Sequence, residues 1–209
     1  MLEIVIAYIN QKFLNEDIFK GSQFFTLAQQ VKENKTVEET QEVIFPAQYD
    51  SNDELKQINF DAKKGVGYHR LTSTVTSSTE DADESGCEDS LTIEYPLKVV
   101  FSANKDFLTT KNDSAFTDLK IAETIQNLLV VSGDRQLTSN LTASVVTISP
   151  TGYDIDKYSV WDAEYTNIDN KVKWDRVLIS VDYTVSIEAP QHCFNDFDCT
   201  KVCIPTFNF

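Results

Sequence analysis

Three of the four cysteines and one of the two histidines lie in one stretch, HCFNDFDCTKVC, as His192, Cys193, Cys199 and Cys203. Such side chains can hold zinc or close disulfides. Zinc sites draw their ligands as close pairs, such as C-x2–4-C, repeated at a distance. Cys199 and Cys203 make one such half loosely, but the adjacent His192 and Cys193 do not aim readily at a single ion. Disulfides need an oxidising compartment. The leading residues, MLEIVIAYINQKF, carry Glu3 and have neither a basic leader nor a small-residue cleavage site, so they do not read as a signal peptide. The expectation is a packed tail with reduced thiols, anchored through Phe194, Phe197, Val202, Ile204 and Phe207. Neither a metal nor a cofactor is expected, and Cys87 reads as a free thiol.

A second cluster is TEDADESGCEDS, with Glu80, Asp81, Asp83, Glu84, Glu88 and Asp89. Calcium loops place ligands at alternate positions around a turn glycine and close with an acidic residue at the twelfth. Asp81, Asp83 and Ser85 alternate and Gly86 follows, but no acidic residue closes the loop. A solvated charge run is the expected reading. The sequence contains no G-x-S-x-G, H-E-x-x-H, P-loop or G-x-G-x-x-G. His69 sits in a strand-like run, where a hydrogen-bonded structural histidine is expected. Sequons at Asn34, Asn112 and Asn140 arise readily in a chain rich in Asn and Thr. No catalytic residue is assigned, and the protein is not expected to be an enzyme.

The formal charge is −15. Such a body repels phosphate backbones and anionic membranes, which disfavours sequence-specific nucleic-acid binding and membrane adhesion. No run of about 18 apolar residues is present to span a bilayer as a helix. The 209 residues, 41% hydrophobic, suffice for one substantial core.

The elements that must position these groups follow from periodicity. Residues 2–14 read as a helix with Leu2, Val5, Ile6, Ile9 and Phe13 on one face. Residues 23–32 and 37–48 read as strands around the turn ENKT, with Pro46 marking an edge or an end. Residues 50–67 read as a loop bent at Gly65 and Gly67, and 68–77 as one strand. Residues 91–103 alternate cleanly: Leu91, Ile93, Tyr95, Leu97, Val99 and Phe101 oppose Thr92, Glu94, Lys98 and Ser102, with Val100 the exception. Pro96 in that strand predicts an edge or a bulge.

Residues 114–131 read as a helix capped by Ser114 and ended at Gly133, with Phe116, Leu119, Ala122, Ile125, Leu128 and Leu129 as its apolar stripe. Residues 140–149 read as a strand broken at Pro150–Gly152, and 153–171 as a loop with one helical turn. The last strand, 173–188, again alternates and stops at Pro190. The expected fold class is α+β: a twisted antiparallel sheet, two helices on one face, a polar opposite face, a long acidic hairpin arm over 79–90, and an extended C-terminal tail. One domain spans 1–189 and the tail spans 190–209.

The order and spacing of four segments carry a resemblance. MLEIVIAYINQKFL, SLTIEYPLKVVFSANKD, AFTDLKIAETIQNLL and KWDRVLISVDYTVSI resemble the leading helix, central strand, packed helix and closing strand of tail-terminator and head–tail connector (neck ring) proteins of tailed bacteriophages, in particular crAss-like phages. The resemblance covers roughly residues 1–189; the cysteine-bearing tail has no counterpart in it. It implies a structural virion protein, assembled in the host cytoplasm, that forms a homo-oligomeric ring of six or twelve copies. Its partners would be itself and adjacent portal, ring or tail proteins, with DNA passing through the lumen without specific binding. Asp182 and Glu188 are then candidates for an acidic lumen wall. Ile4 and Tyr8 on the outer face of the first helix, Glu80, Asp81, Asp83 and Glu84 of the arm, and Phe194, Phe197, Phe207 and Phe209 of the tail are candidates for interfaces. The rival expectation is a secreted or surface β-rich binding module, adhesin-like, favoured by the sequons, the cysteines and the Thr-rich strands; titration of reduced thiols separates the two.

Overall fold

The computed structural model describes residues 1–37, 39–49, 52–60, 63–80, 90–109, 118–134, 145–166 and 176–190. In chain order its elements are α1 (Leu2–Asn15), a 3-10 turn (Asp17–Phe19), β1 (Gln23–Leu27), β2 (Gln29–Val37), β3 (Glu39–Tyr49), β4 (Leu55–Gln57), β5 (Val66–Leu71), β6 (Thr76–Glu80), β7 (Ser90–Asn104), α2 (Lys105–Thr109), α3 (Asp118–Leu129), β8 (Val131–Asp134), β9 (Val145–Asp154), α4 (Lys157–Glu164) and β10 (Arg176–Pro190). The fold is α+β, as the periodicity predicts. A large sheet runs β1-β5-β7-β10-β9-β8, with β6 also paired to β7, and a small sheet runs β2-β3-β4.

The two cleanly alternating segments become the centre of the large sheet. β7 and β10 pair antiparallel without interruption from Ser90↔Pro190 to Asn104↔Arg176. Their odd-numbered apolar residues, Val99, Phe101, Ile179, Val181 and Val185 among them, form one core with Val5, Ile9 and Phe13 of α1 and Ile121, Ala122, Ile125 and Leu129 of α3. A period-two stripe on the strands meets a period-3.6 stripe on the helices, and burial of both drives this layer together.

Several expectations are corrected. The sheet is not wholly antiparallel, because β1 and β5 pair parallel. Pro96 lies at neither an edge nor a bulge: β7 has β10 on one side and β5 and β6 end to end on the other. In an antiparallel strand a residue's N–H and C=O point to the same neighbour. The Pro96 carbonyl accepts from the Thr72 N–H, so its missing N–H falls where β5 gives way to β6 and no ladder bond is lost. Residues 68–77 are therefore two strands, not one. Pro46 is likewise inside the central strand of the small sheet, its carbonyl accepting from the Ile58 N–H at the end of β4. Pro150 does not end β9; the pairs Asp182↔Gly152 and Tyr183↔Pro150 leave Thr151 as the extra residue of a bulge.

The span 50–67 contains β4 and the start of β5. Gly67 lies within β5, where a Cβ would collide with the Phe24 ring, so close approach rather than a bend demands glycine there. ENKT lies within β2, which pairs with β3 as far as Val37↔Glu39. Gly133 belongs to β8 and does not cap α3; Leu119 is exposed, and Ile121 takes its place in the core. Ser114 and Phe116 lie outside the described residues.

The opposite face of the large sheet is only half polar. At the Asn104–Arg176 end it carries a second core: Val66 and Tyr68 of β5, Val100 of β7 and Leu178 of β10 pack with Val160 of α4. Val43, Phe45 and Ala47 of the small sheet join Tyr165 beside it. This explains Val100, the one apolar residue on the polar side of β7's alternation.

Candidate functional site

Polar side chains gather in three places on the large sheet. The first lies on its helix-covered face. The His69 ring is fully buried, with Nδ1 2.7 Å from the Tyr183 hydroxyl and Nε2 2.8 Å from Asn10 Oδ1. The Asn10 amide nitrogen donates to the Phe25 carbonyl, so Oδ1 is the acceptor. Nε2 therefore carries the proton and donates to Asn10, while Nδ1 accepts from Tyr183. Burial lowers the His69 pKa to about 3 and raises that of Tyr183. Every polar atom of the ring has a partner, which makes this a structural histidine that ties α1 to the sheet, as expected for it.

The second place is the closed half of the opposite face. Arg70 on β5 grips Glu164, the last residue of α4, through two hydrogen bonds: Nε to Oε2 at 3.0 Å and Nη2 to Oε1 at 2.6 Å. The Tyr68 hydroxyl donates to the same Oε2 at 3.1 Å. Glu164 is 1% exposed and Arg70 17%. A carboxylate at a helix C-terminus opposes the helix dipole, and here the guanidinium compensates it. Burial works against the Arg70 charge, but the bond and charge of Glu164 outweigh it and the Arg70 pKa is raised. Burial and then Glu164 push Tyr68 up. Both carboxylate oxygens are occupied, so Glu164 is not placed to take a substrate proton. Trp161 stacks on Tyr165 at 4.3 Å, and the Tyr165 hydroxyl donates to the Ile58 carbonyl. Arg176 donates to Ser102 Oγ. This half is locked.

The third place is the open half, toward Ser90 and Pro190. Across β7 and β10 its pairs are Thr92↔Glu188, Glu94↔Ser186, Pro96↔Thr184 and Lys98↔Asp182. β6 adds Thr76 opposite Glu94 and Ser78 opposite Thr92; β9 adds Thr147 and Ser149. Glu94 and Glu188 are exposed, and Thr92, Thr184 and Ser186 half-buried. Asp182 is 45% exposed and lies 3.7 Å from the Lys98 ammonium, so of the two proposed wall residues it is partly neutralised, whereas Glu188 is exposed. Glu94 belongs with Glu188, and the alternation of β7 already placed it on this face.

The remaining expected site residues divide. Ile4 and Tyr8 are half-buried and pack on the main core. They are therefore not the outward face of α1, which is Glu3, Ala7, Gln11 and Leu14. Helical spacing put them beside the core stripe, and α3 widens that stripe. Glu80 ends β6, opposite Ser90. Asp81, Asp83 and Glu84, the cysteines, and Phe194, Phe197, Phe207 and Phe209 lie outside the described residues. Among the described residues no group of three or more His, Cys, Asp or Glu side chains could hold a metal ion. No helix there is long and apolar enough to cross a membrane. The Arg70–Glu164 pair had no sequence signal, since its members lie 94 positions apart. Models of known protein families and curated proteins were both compared with the chain, and none matches it.

Proposed function

We propose that this protein is a structural subunit of a tailed bacteriophage particle, forming a homo-oligomeric ring in the neck or tail that joins portal to tail and lines the DNA passage. The observation that carries this reading is the open half-face. It is a four-stranded surface of Thr and Ser whose exposed charges, Glu94 and Glu188, are negative. A duplex carries one phosphate charge per about 1.7 Å of its axis, so a smooth acidic wall lets it slide without adhering. The order of the leading helix, central strand, packed helix and closing strand supports the same reading through its resemblance to connector proteins. The role is architectural, with no bond made or broken, and portal, ring or tail proteins are the neighbours.

The test is the mass of the full chain in solution, by light scattering on a sizing column across a range of concentrations. A closed assembly of six or twelve chains is expected; a species that stays monomeric at every concentration overturns the proposal.

A further inference from the structure

One edge of β7 carries two strands end to end. β5 pairs with Leu97–Ser102 and β6 with Ser90–Glu94. β1 covers the outer edge of β5, whereas no strand among the described residues covers that of β6. Thr76, Ser77, Ser78 and Thr79 are all exposed, so both faces of β6 are wet.

The direction of the free groups can be derived. The Thr72 N–H donates to the Pro96 carbonyl, so the even-numbered residues of β7 aim their polar groups toward β5 and β6. Thr76 pairs with Glu94 and Ser78 with Thr92. These two therefore bond β7, and Ser77 and Thr79 aim N–H and C=O outward. Long exposed edges are ordinarily blunted by charge, proline, a bulge or shortness. β8 is four residues long with an irregular register, and β4 is three. β2 carries Lys32, Glu33 and Lys35. β1, the outermost strand beside β5, has a register shift between Phe24 and Leu27. The TSSTE of β6 has no proline and no register break, and its one charge, Glu80, stands at its last position.

We infer that the outer edge of β6 accepts an added strand from the carboxy-terminal segment, residues 191–209, of a second copy of this chain. The inference rests on the ring reading and names the contact that holds neighbours together. Donor and acceptor sit at the same end of the sheet: Pro190 pairs with Ser90, and Ser90 with Glu80. Copies side by side therefore bring the start of one tail near the open edge of the next. An extended tail of this length reaches roughly 60 Å. Within it, TKVCI alternates and Pro205 ends the run. With Val202 and Ile204 on the helix side, the added strand extends the half-buried Leu91 and Ile93 of β7. Lys201, the sole Lys or Arg of the tail, then falls on the side of Glu94. Main-chain bonds supply the attraction and the alternating side chains the register.

Ser77→Pro removes an outward N–H and leaves the bonds to β7 intact. It is expected to keep the wild-type circular dichroism and to abolish assembly, with the thermal midpoint of the monomeric chain that ends at Pro190. Ser78→Pro, which removes an inward N–H, is expected to lower the midpoint and serves as the folding control. A chain ending at Pro190 is expected to be monomeric. Mixed together, the Ser77→Pro chain, which has a tail but no acceptor, and the truncated chain, which has an acceptor but no tail, are expected to form a one-to-one heterodimer by native mass spectrometry. A Ser77→Pro chain that assembles normally, a truncated chain that still associates, or a mixture that stays monomeric overturns the inference while the ring proposal stands. A monomeric wild-type chain overturns both.

Discussion

The face of the large sheet opposite α1 and α3 is built from the same strands throughout, yet its two halves behave as different materials. Toward Asn104 and Arg176 it is covered by α4 and the small sheet, with the Arg70–Glu164 pair beneath them. Toward Ser90 and Pro190 no described element covers it, and Glu94 and Glu188 are exposed. A carboxylate in the first half, Glu164, holds the structure shut. A carboxylate in the second, Glu188, is exposed on the strand surface. Burial, rather than residue type, makes the difference: removing a partner inside leaves an uncompensated charge, whereas outside water compensates it.

Glu164→Gln leaves Arg70 without its carboxylate. Loss of one partner of a buried pair costs about 3–5 kcal/mol, and the residual exposure of Arg70 points to the lower end; urea unfolding measures it. Tyr183→Phe removes the donor to His69 Nδ1 and should cost about 1–3 kcal/mol, the penalty for a buried group left unsatisfied. An unchanged urea midpoint for Glu164→Gln would mean that water reaches the closed half, and one for Tyr183→Phe that water reaches the helix-covered face.

Acid probes the helix-covered face, the dry reference for both halves. His69 has its pKa lowered to about 3 by burial, against about 6.5 in an unfolded chain. The unfolded state therefore binds the proton first. The contribution of neutral His69 is full above about pH 6.5 and is lost as pH falls toward 3, at up to about 1.4 kcal/mol per pH unit. Stability of the wild type minus that of His69→Gln, followed over this window, should show that slope; a flat difference would place His69 in contact with solvent.

The open half should yield the smallest stability changes. Asp182→Asn breaks a partly exposed ion pair with Lys98 and should cost about 0–1 kcal/mol. The double change Glu94→Lys and Glu188→Lys should stay within about 0.5 kcal/mol of the wild type. Its expected effect lies elsewhere: a short DNA duplex that does not bind the wild type should bind the variant at low salt and be released as salt rises. Absence of any DNA binding by the variant would argue against this face as the wall of a DNA passage.

α1, β7 and β10 carry their periods in the sequence, because each buries one face along its length against the main core, although β10 runs Arg176–Pro190 rather than 173–188. Val100 was visible as an exception but not explicable, since its partners Tyr68, Leu178 and Val160 come from three other elements. The three prolines misled because a proline's acceptability depends on whether its missing N–H faces a partner, which the neighbouring strand decides. The Arg70–Glu164 pair left no local trace, because a charge pair is recorded only in space. The wet face of β7 and β10, and so Glu94 and Glu188, was written in the alternation itself.

The α+β class, the helix-covered core and the alternation that gives the central strands one dry side and one polar side follow from local periodicity, which burial on one side preserves. Which half of the polar side is covered, and that β5 and β6 share one edge of β7 with no described strand beyond β6, emerge only in the assembled fold. Those outcomes depend on where α4 and the small sheet come to rest, and that is fixed by contacts between residues far apart in the chain.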